Sequence, residues 1–214
     1  MIRRMTKDDV EIIAKENKYH GYFKIDSYQM RYRLFEGGWG PVVNRELFER
    51  GHAAAVLPYD PILRKVILIE QFRIGAMQDK KSPWLLEVVA GILEPHETPE
   101  QLAARESKEE AGLDLLELTP ICNFYASPGA CTETVALFCG RIDATNVGGI
   151  YGIKNEAENI LVHVLDVEEA FQLLHDGSVT NMTAIIALQW LEIKLLTQVP
   201  DKRLAAAQSW AEQI

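Results

Sequence analysis

The sequence predicts a mixed α/β (α+β) fold in which short strands interleave with a few helices. Beyond residue 51, apolar runs of strand length, such as 64–72, alternate with segments of helical periodicity, such as 185–195. The 214 residues are 48% hydrophobic and 25% charged, which is ordinary for one globular domain with an appendage. No internal repeat or low-complexity tract interrupts this pattern, so a layered globular fold is expected.

Residues 1–50 are predicted to form a small strand-rich region. From Tyr28 to Leu34 apolar side chains alternate with polar ones, and this period of two indicates a strand with one solvated face. Three glycines and Pro41 then interrupt the chain. A segment of this size has too little core to fold alone, so we expect it to pack on the rest of the chain or on a second copy.

Residues 51–200 are predicted to form the main domain, followed by a helical tail over 201–214. Six segments have the composition and length of strands, with Asp60-Pro61 joining the first two and Gly91 ending the third. A loop containing two adjacent glycines is expected over 145–159. The predicted strands are 52–60, 64–72, 84–91, 121–127, 133–142 and 160–165.

Two helices are predicted after the last of these strands. Asp166 and Glu169 have the spacing of a capping box, and Gly177 is placed to end the helix that follows. The final helix is expected to start near Thr180 or Asn181. Its apolar stripe comprises Ile185, Ile186, Leu188, Leu191 and Leu195.

Charge and targeting signals exclude several classes of protein. The net charge of −9 and the pI near 5.1 argue against a nucleic-acid binder, and an anionic substrate would need local arginines or metal ions. The three cysteines form no CxxC pair and suit a reducing compartment. The N-terminus has no signal-peptide pattern, and no apolar run approaches the ~20 residues of a membrane span. We therefore expect a soluble cytoplasmic protein without nucleic-acid or membrane partners.

An acidic helix over 99–111 is the most informative element. Thr98 is a suitable N-cap, Pro99 fits the first helical position, and Gln101 completes a Thr-x-x-Gln capping box. Gly112 is expected to end the helix after Ala111.

Acidic side chains crowd one face of this helix. Glu106 and Glu110 lie one turn apart with Glu109 beside them, although like charges at this spacing repel each other. Arg105 can reach Glu109 and Glu97, but one arginine cannot neutralise four carboxylates. Either the face is solvated, or divalent cations such as Mg²⁺ bind there. The helix alone leaves both possibilities open.

The spacing of seven residues distinguishes between them. The chain contains the pattern Gly-x5-Glu-x7-Arg-Glu-U-x-Glu-Glu-x-Gly-U, where U is aliphatic, from Gly91 to Leu113. This pattern resembles the Nudix box. Ser107 is the one departure, because that position is normally aliphatic. The resemblance implies a Nudix α/β/α sandwich and a hydrolase of nucleoside diphosphates linked to another group.

Further stretches resemble the ADP-ribose pyrophosphatase subgroup of this family. Pro128 follows the end of the box by fifteen residues, and segments 10–58 and 83–91 are similar to that subgroup as well. The resemblance implies Mg²⁺-dependent hydrolysis of the pyrophosphate bond of ADP-ribose to AMP and ribose 5-phosphate. It also implies a homodimer whose N-terminal strands help to build the partner's substrate site.

The resemblance assigns metal-binding and catalytic roles to particular residues. Two or three Mg²⁺ ions are implied, with Mn²⁺ able to take their place. The metal ligands would be Glu106, Glu110, Glu158 and the carbonyl of Ala90. The loop residue Glu156 aligns with the general base, although a neighbouring carboxylate of that loop remains an alternative. Supporting roles at the same cluster fall to Glu97, Arg105 and Glu109.

The resemblance also assigns the substrate contacts. Tyr22 and Phe23 would stack on adenine, since aromatic rings offer flat apolar surfaces. Arg45 and Glu46 would bond the adenosine from the other subunit. The remaining contacts are Arg50 and Arg73 on the phosphates, and Ile92, Ser127, Pro128, Gly129 and Glu133 around the terminal ribose.

Two rival functions remain. One is the same chemistry on another nucleoside diphosphate sugar, such as GDP-mannose, because those enzymes share a similar N-terminal region. The other is a non-catalytic module that binds ADP-ribose. All four box carboxylates are present and no basic helix-turn-helix pattern is visible, so the binding module is the weaker alternative.

Overall fold

The computed structural model describes residues 5–153, 155 and 157–198. It divides the chain into two compact units. The chain up to Ala53 forms the first unit with Asn123–Val135, and Ala54–Cys122 forms the second unit with the chain from Ala136 onward. The predicted helical tail over 201–214 lies outside the described residues.

The first unit is built on a three-stranded antiparallel sheet in the order β1-β2-β3, comprising Val10–His20, Lys24–Tyr32 and Val43–Glu49. Strands are therefore present where the alternating pattern predicts them. Every residue of β1 is exposed in the single chain, which agrees with the small core expected of this segment. The amide of Phe48 donates to the carbonyl of Ala130 (2.8 Å), so the 123–135 segment is held to β3.

The second unit contains the main sheet. Its path runs β10-β11-β5-β4-β9-β8, with β6 pairing β5 and β7 pairing β4. Strand β8 ends in the first unit, and strand β9 begins there. The strands are β4 (Ala53–Asp60), β5 (Lys65–Phe72), β6 (Trp84–Glu87), β7 (Val89–Ile92), β8 (Glu117–Tyr125), β9 (Thr134–Arg141), β10 (Gly149–Tyr151) and β11 (Ile160–Asp166).

In the described residues, three α-helices cover this sheet. Helix α1 (Pro99–Ala111) packs on β7, β10 and β11, whereas α2 (Val167–His175) packs on β5 and β11 and α3 (Met182–Gln198) packs on β6 and α2. Ile67 and Ile69 of β5 belong to the core cluster that includes α1. Val66 and Leu68 are equally buried, and strand geometry directs them to the opposite face. The predicted α/β/α sandwich is confirmed.

No helix in the described part of the chain is long and apolar enough to cross a membrane.

Three local expectations were wrong. Segment 84–91 is two strands, because β6 pairs with β5 while β7 pairs with β4. The segment predicted as a glycine-rich loop contains the short strand β10. Asp166 is the N-cap residue of α2 but makes no side-chain capping bond; its carboxylate instead forms an ion pair with Lys65 (2.9 Å).

The predicted ends of α1 are confirmed. The Thr98 hydroxyl accepts from the amide of Gln101, and the Gln101 side chain accepts from the amide of Thr98 (2.9 Å), which completes the capping box. Gly112 adopts a left-handed conformation with φ of 67°, which favours glycine and ends the helix. Both ends of α1 are therefore defined by local hydrogen bonds and backbone conformation.

We expect Thr98→Ala to lower the free energy of unfolding by about 1 kcal/mol, because it removes the side-chain acceptor at the start of α1. Thr98→Ser is the matched control, since it keeps the hydroxyl, and it should stay within about 0.5 kcal/mol of the wild type. Denaturant unfolding of the three proteins measures both differences. Equal stability of the alanine and serine variants would contradict this role of the cap.

Candidate active site

The close packing of α1 on β7 creates the first feature of the site. The Glu106 carboxylate lies directly over Gly91, and a Cβ atom at position 91 would overlap it. Only 14% of the Glu106 side chain is exposed. The glycine that opens the acidic motif is therefore required for close approach, and it brings a carboxylate against the backbone of the sheet.

Glu110, one turn further along α1, is more deeply buried, with 3% exposure. Its carboxylate accepts a hydrogen bond from the Ala90 amide (3.0 Å), and Gln71 approaches its other oxygen at 3.5 Å. Burial raises the pKa of Glu110 to about 8 and that of Glu106 to about 7, although Arg105 opposes the second shift. Both acids are therefore costly to ionise without an added positive charge.

Arg105 is the main cation inside this cluster. Its guanidinium donates to Glu97 (2.9 and 3.2 Å), Glu106 (2.9 Å) and Glu109 (2.9 Å). The bonds to Glu97 raise the pKa of Arg105 and fix the loop before α1. The sequence predicted the contacts with Glu97 and Glu109, and both are present. One guanidinium thus serves three carboxylates and makes no hydrogen bond to Glu110.

The donor set suits a hard divalent cation. Carboxylate and backbone carbonyl oxygens are its preferred ligands, and these carboxylates are buried and in excess over their cations. In the described part of the chain, no three acidic, histidine or cysteine side chains are already gathered as a preformed metal cage. Arg105 holds Glu106 and Glu109 by hydrogen bonds instead.

Ser107, the departure from the aliphatic pattern, is fully buried. Its hydroxyl donates to the carbonyl of Ala103 (2.7 Å), one turn back in the same helix. The polar group is thereby satisfied without a partner outside α1.

The loop that follows β10 in sequence starts next to the C-terminal end of α1 in space. The Tyr151 ring packs against Gly112, and the Gly152 amide lies 3.4 Å from the carbonyl of Glu109. Glu158 accepts from the amide of Ile153 (3.1 Å), and its charge is close enough to contribute to the raised pKa of Glu106, behind the larger effect of burial. The predicted general base, Glu156, lies outside the described residues.

Arg73 and Ile92 are also in the second unit. Arg73 forms a bidentate pair with Glu87, at 2.7 Å for the shortest bond, and its charge lowers the pKa of Glu110 against the larger effect of burial. Ile92 ends β7 beside Gly91 and is half-buried. Both residues therefore belong to the same unit as the acidic cluster.

A second group of predicted residues lies in the first unit. Phe23 packs edge-on against Tyr22 and Phe48, with ring centroids 4.7 and 5.0 Å apart. The Arg50 guanidinium lies 5.8 Å from the Phe23 centroid and pairs with Glu133 (3.1 Å). Tyr22 is 87% exposed in the single chain, so its ring has a free face for stacking.

The other predicted residues of this unit are less constrained. Arg45 and Glu46 are exposed on β3, and within the described part of the chain the Arg45 side chain donates only to the carbonyl of its neighbour Asn44. Ser127, Pro128 and Gly129 form a turn in which the Ser127 carbonyl accepts from two following amides, at 2.9 and 3.2 Å. The structure therefore collects the predicted residues into two groups, one in each unit.

Sequence reasoning missed three polar residues of the second unit, which lie next to Glu110 or Arg73. Gln71 approaches Glu110, whereas Glu87 and Asn181 form a network with Arg73. One signal was available: Glu87 interrupts the otherwise apolar run 84–90, and a charge inside a buried strand needs a partner.

The family of the chain follows from comparison with known proteins. A family model described as the NUDIX domain matches residues 49–206, which include the acidic helix and both flanking strands. The chain belongs to the NUDIX family.

Individual relatives are more specific. The ADP-ribose pyrophosphatase of Escherichia coli (strain K12) is 48% identical over 187 residues, which cover 87% of this chain and 90% of the relative. The GDP-mannose pyrophosphatase of Klebsiella pneumoniae (strain ATCC 700721 / MGH 78578) is 33% identical over 69% of this chain and 74% of its own. A solved structure described as an ADP compounds hydrolase covers 89% of this chain and 96% of its own, with a TM-score of 0.67 and 19% identity. At that identity the structural match shows the fold alone.

The raised pKa of Glu110 predicts how stability depends on pH. Without divalent cations, the folded chain retains protons that the unfolded chain loses above the ordinary glutamate pKa, so the free energy of unfolding should fall from about pH 5 to pH 8. Glu110→Gln should reduce that fall by at least about 1 kcal/mol. Chemical unfolding at several pH values in chelator measures the slope. Exposed Glu117→Gln is the control, and an unchanged slope in the Glu110 variant would refute the prediction.

Proposed function

We propose that this protein hydrolyses the pyrophosphate bond of ADP-ribose, with a divalent metal, to give AMP and ribose 5-phosphate. The buried carboxylate pair Glu106 and Glu110, packed on the backbone of β7, is the observation that carries the chemistry. The substrate is supported by the 48% identity to a named ADP-ribose pyrophosphatase over most of both chains.

Metal dependence is general among Nudix hydrolases. In this chain we assign the metal to Glu106, Glu110, Glu158 and the carbonyl of Ala90, with two or three Mg²⁺ ions and Mn²⁺ as a substitute. When bound, such ions supply positive charge that polarises the phosphoryl oxygens. Ionised Glu106 and Glu110 are required for this, so metal affinity should increase with pH.

The other side chains position groups and move a proton. Arg105 holds Glu106 and Glu109 in place through its two bonds from one nitrogen, and Glu97 fixes Arg105 from the other side. We assign to Glu156 the removal of a proton from the attacking water. Attack on the adenosyl phosphorus transfers the hydroxyl to AMP, and ribose 5-phosphate leaves with the bridging oxygen.

We assign substrate recognition to both groups of residues. Tyr22 and Phe23 stack on adenine, Arg45 and Glu46 bind the adenosine from a second subunit, and Arg50 and Arg73 bind phosphate. The terminal ribose contacts Ile92, Ser127, Pro128, Gly129 and Glu133. This assignment requires a homodimer, and a cytoplasmic location fits the reduced cysteines.

The second candidate function is the same hydrolysis on GDP-mannose. It rests on the 33% identity to a GDP-mannose pyrophosphatase, which is lower and covers less of the chain than the match above. A non-catalytic ADP-ribose-binding module has less support, because all four carboxylates of the acidic motif are retained.

The substrate is tested by incubating purified protein and Mg²⁺ with ADP-ribose or GDP-mannose, and measuring AMP or GMP by chromatography. We expect kcat/KM for ADP-ribose to exceed that for GDP-mannose at least about tenfold, and all activity to vanish in chelator. A preference for GDP-mannose would transfer the assignment to the second candidate. Binding of ADP-ribose without turnover of either compound would support the non-catalytic module.

The carboxylates are tested by single substitutions. Glu106→Gln and Glu156→Gln should each lower kcat by about a hundredfold or more, because one removes a metal ligand and the other the proton acceptor. Only Glu106→Gln should also weaken Mg²⁺ binding, measured by calorimetry. Glu100→Gln, on an exposed position of the same helix, should keep wild-type kinetics. Full activity in the Glu106 variant would remove this residue from the metal site.

A further inference from the structure

Arg73 is anchored by one carboxylate on one side of its guanidinium. Its Nε lies 3.1 and 3.2 Å from the two oxygens of Glu87, and its Nη2 lies 2.7 Å from one of them. An arginine has five N–H donors in a fixed planar fork. The other three N–H groups of Arg73 find no acceptor among the described residues, so they are available to an anion.

Glu87 is buried, whereas Arg73 is not. Glu87 is 4% exposed, and the Arg73 side chain is 43% exposed. Burial lowers the pKa of Arg73, but its bonds to Glu87 and the nearby charges of Glu110 and Glu158 outweigh this effect. Arg73 is therefore held by a buried anchor, and it lies close enough to Glu110 and Glu158, which are proposed to bind the metal, for their charges to act on it.

Asn181 holds the anchor in turn. Its side-chain nitrogen donates to Glu87 (3.1 Å), while its side-chain oxygen accepts from the amide of Ala184 (3.1 Å) at the start of α3. Asn181 can form both bonds because an amide is donor and acceptor at once. Aspartate would cap the helix equally well but would place a second carboxylate against Glu87.

We infer that Glu87 and Asn181 are positioning residues, which fix the Arg73 guanidinium so that its free edge binds a phosphate of the substrate. This inference rests on the proposed pyrophosphate hydrolysis and identifies the part of the second unit that orients the substrate. The alternative is an ion pair that only stabilises the fold. Stability alone gives little reason for it, since buried ion pairs can often be replaced by apolar residues without loss.

The first test is a double-mutant cycle between Arg73 and Glu87. Arg73→Ala should lower kcat/KM for ADP-ribose about a hundredfold, and Glu87→Gln about tenfold, because glutamine cannot form the charged bidentate pair. In the Arg73→Ala background, Glu87→Gln should cause no further loss, since the group it orients is absent. Multiplicative losses in the double variant would show that Glu87 acts independently of Arg73 and would overturn the inference.

The second test keeps the N-cap of α3 and varies only the donor to Glu87. Asn181→Asp should lower kcat/KM about tenfold, because it replaces the donor by a repelling oxygen. Asn181→Ser should cause a smaller loss of about threefold, because it caps the helix without facing Glu87 with a charge. Thermal unfolding checks that both variants are folded at the assay temperature. Wild-type kinetics in Asn181→Asp would also overturn the inference, even if Glu87→Gln failed to fold.

A matched control separates this effect from the general loss of an ion pair. Glu168→Gln removes the exposed ion pair with Arg64, and neither residue belongs to the acidic motif or to the proposed site. This variant should leave kcat/KM unchanged. Failure of the proposed function would be distinguishable, because the wild-type protein would then not hydrolyse ADP-ribose. Activity in the wild type and loss in Arg73→Ala, with full activity in Glu87→Gln, would refute the positioning role alone.

Discussion

The contact between α1 and β7 is the constraint on which the site depends. It buries Glu106 over Gly91 and Glu110 against the Ala90 amide, and it raises the pKa of both carboxyls. A helix that only needed to cover the sheet would place apolar residues there, as Leu102 does. The burial of acids costs stability unless positive charge is supplied, so the packing of this helix creates a need that the proposed divalent cations would meet.

The same helix also connects the two chain segments that flank the cluster. Before its N-terminus, Glu97 accepts from Arg105, and beyond its C-terminus, Tyr151 packs on Gly112. The left-handed conformation of Gly112 ends the helix, and the absence of a Cβ leaves room for the tyrosine ring. The C-terminal end of α1 thus contacts the strand β10 from which the following loop continues.

The sequence predicted those features that depend on neighbouring residues. The capping box of Thr98, the left-handed Gly112 and the contact of Arg105 with Glu109 all involve residues at most four apart. It failed where a distant partner decides the outcome. Asp166 pairs with Lys65 rather than capping α2, and 84–91 divides because its halves pair with different strands. Glu87 was missed for the same reason, because its partner Asn181 lies 94 residues away.

Arg105 and Arg73 show that ion pairs between arginine and glutamate can have opposite consequences for binding. Arg105 donates to three carboxylates, so the region around it retains excess negative charge and favours cations. Arg73 is anchored to one carboxylate, and its other donors find no acceptor within the described residues, so it favours an anion. In a chain with a net charge of −9, a pyrophosphate cannot be attracted by the overall field. The proposed pyrophosphate substrate would therefore require both arrangements, with divalent cations held by the acidic helix and the guanidinium of Arg73 held by Glu87.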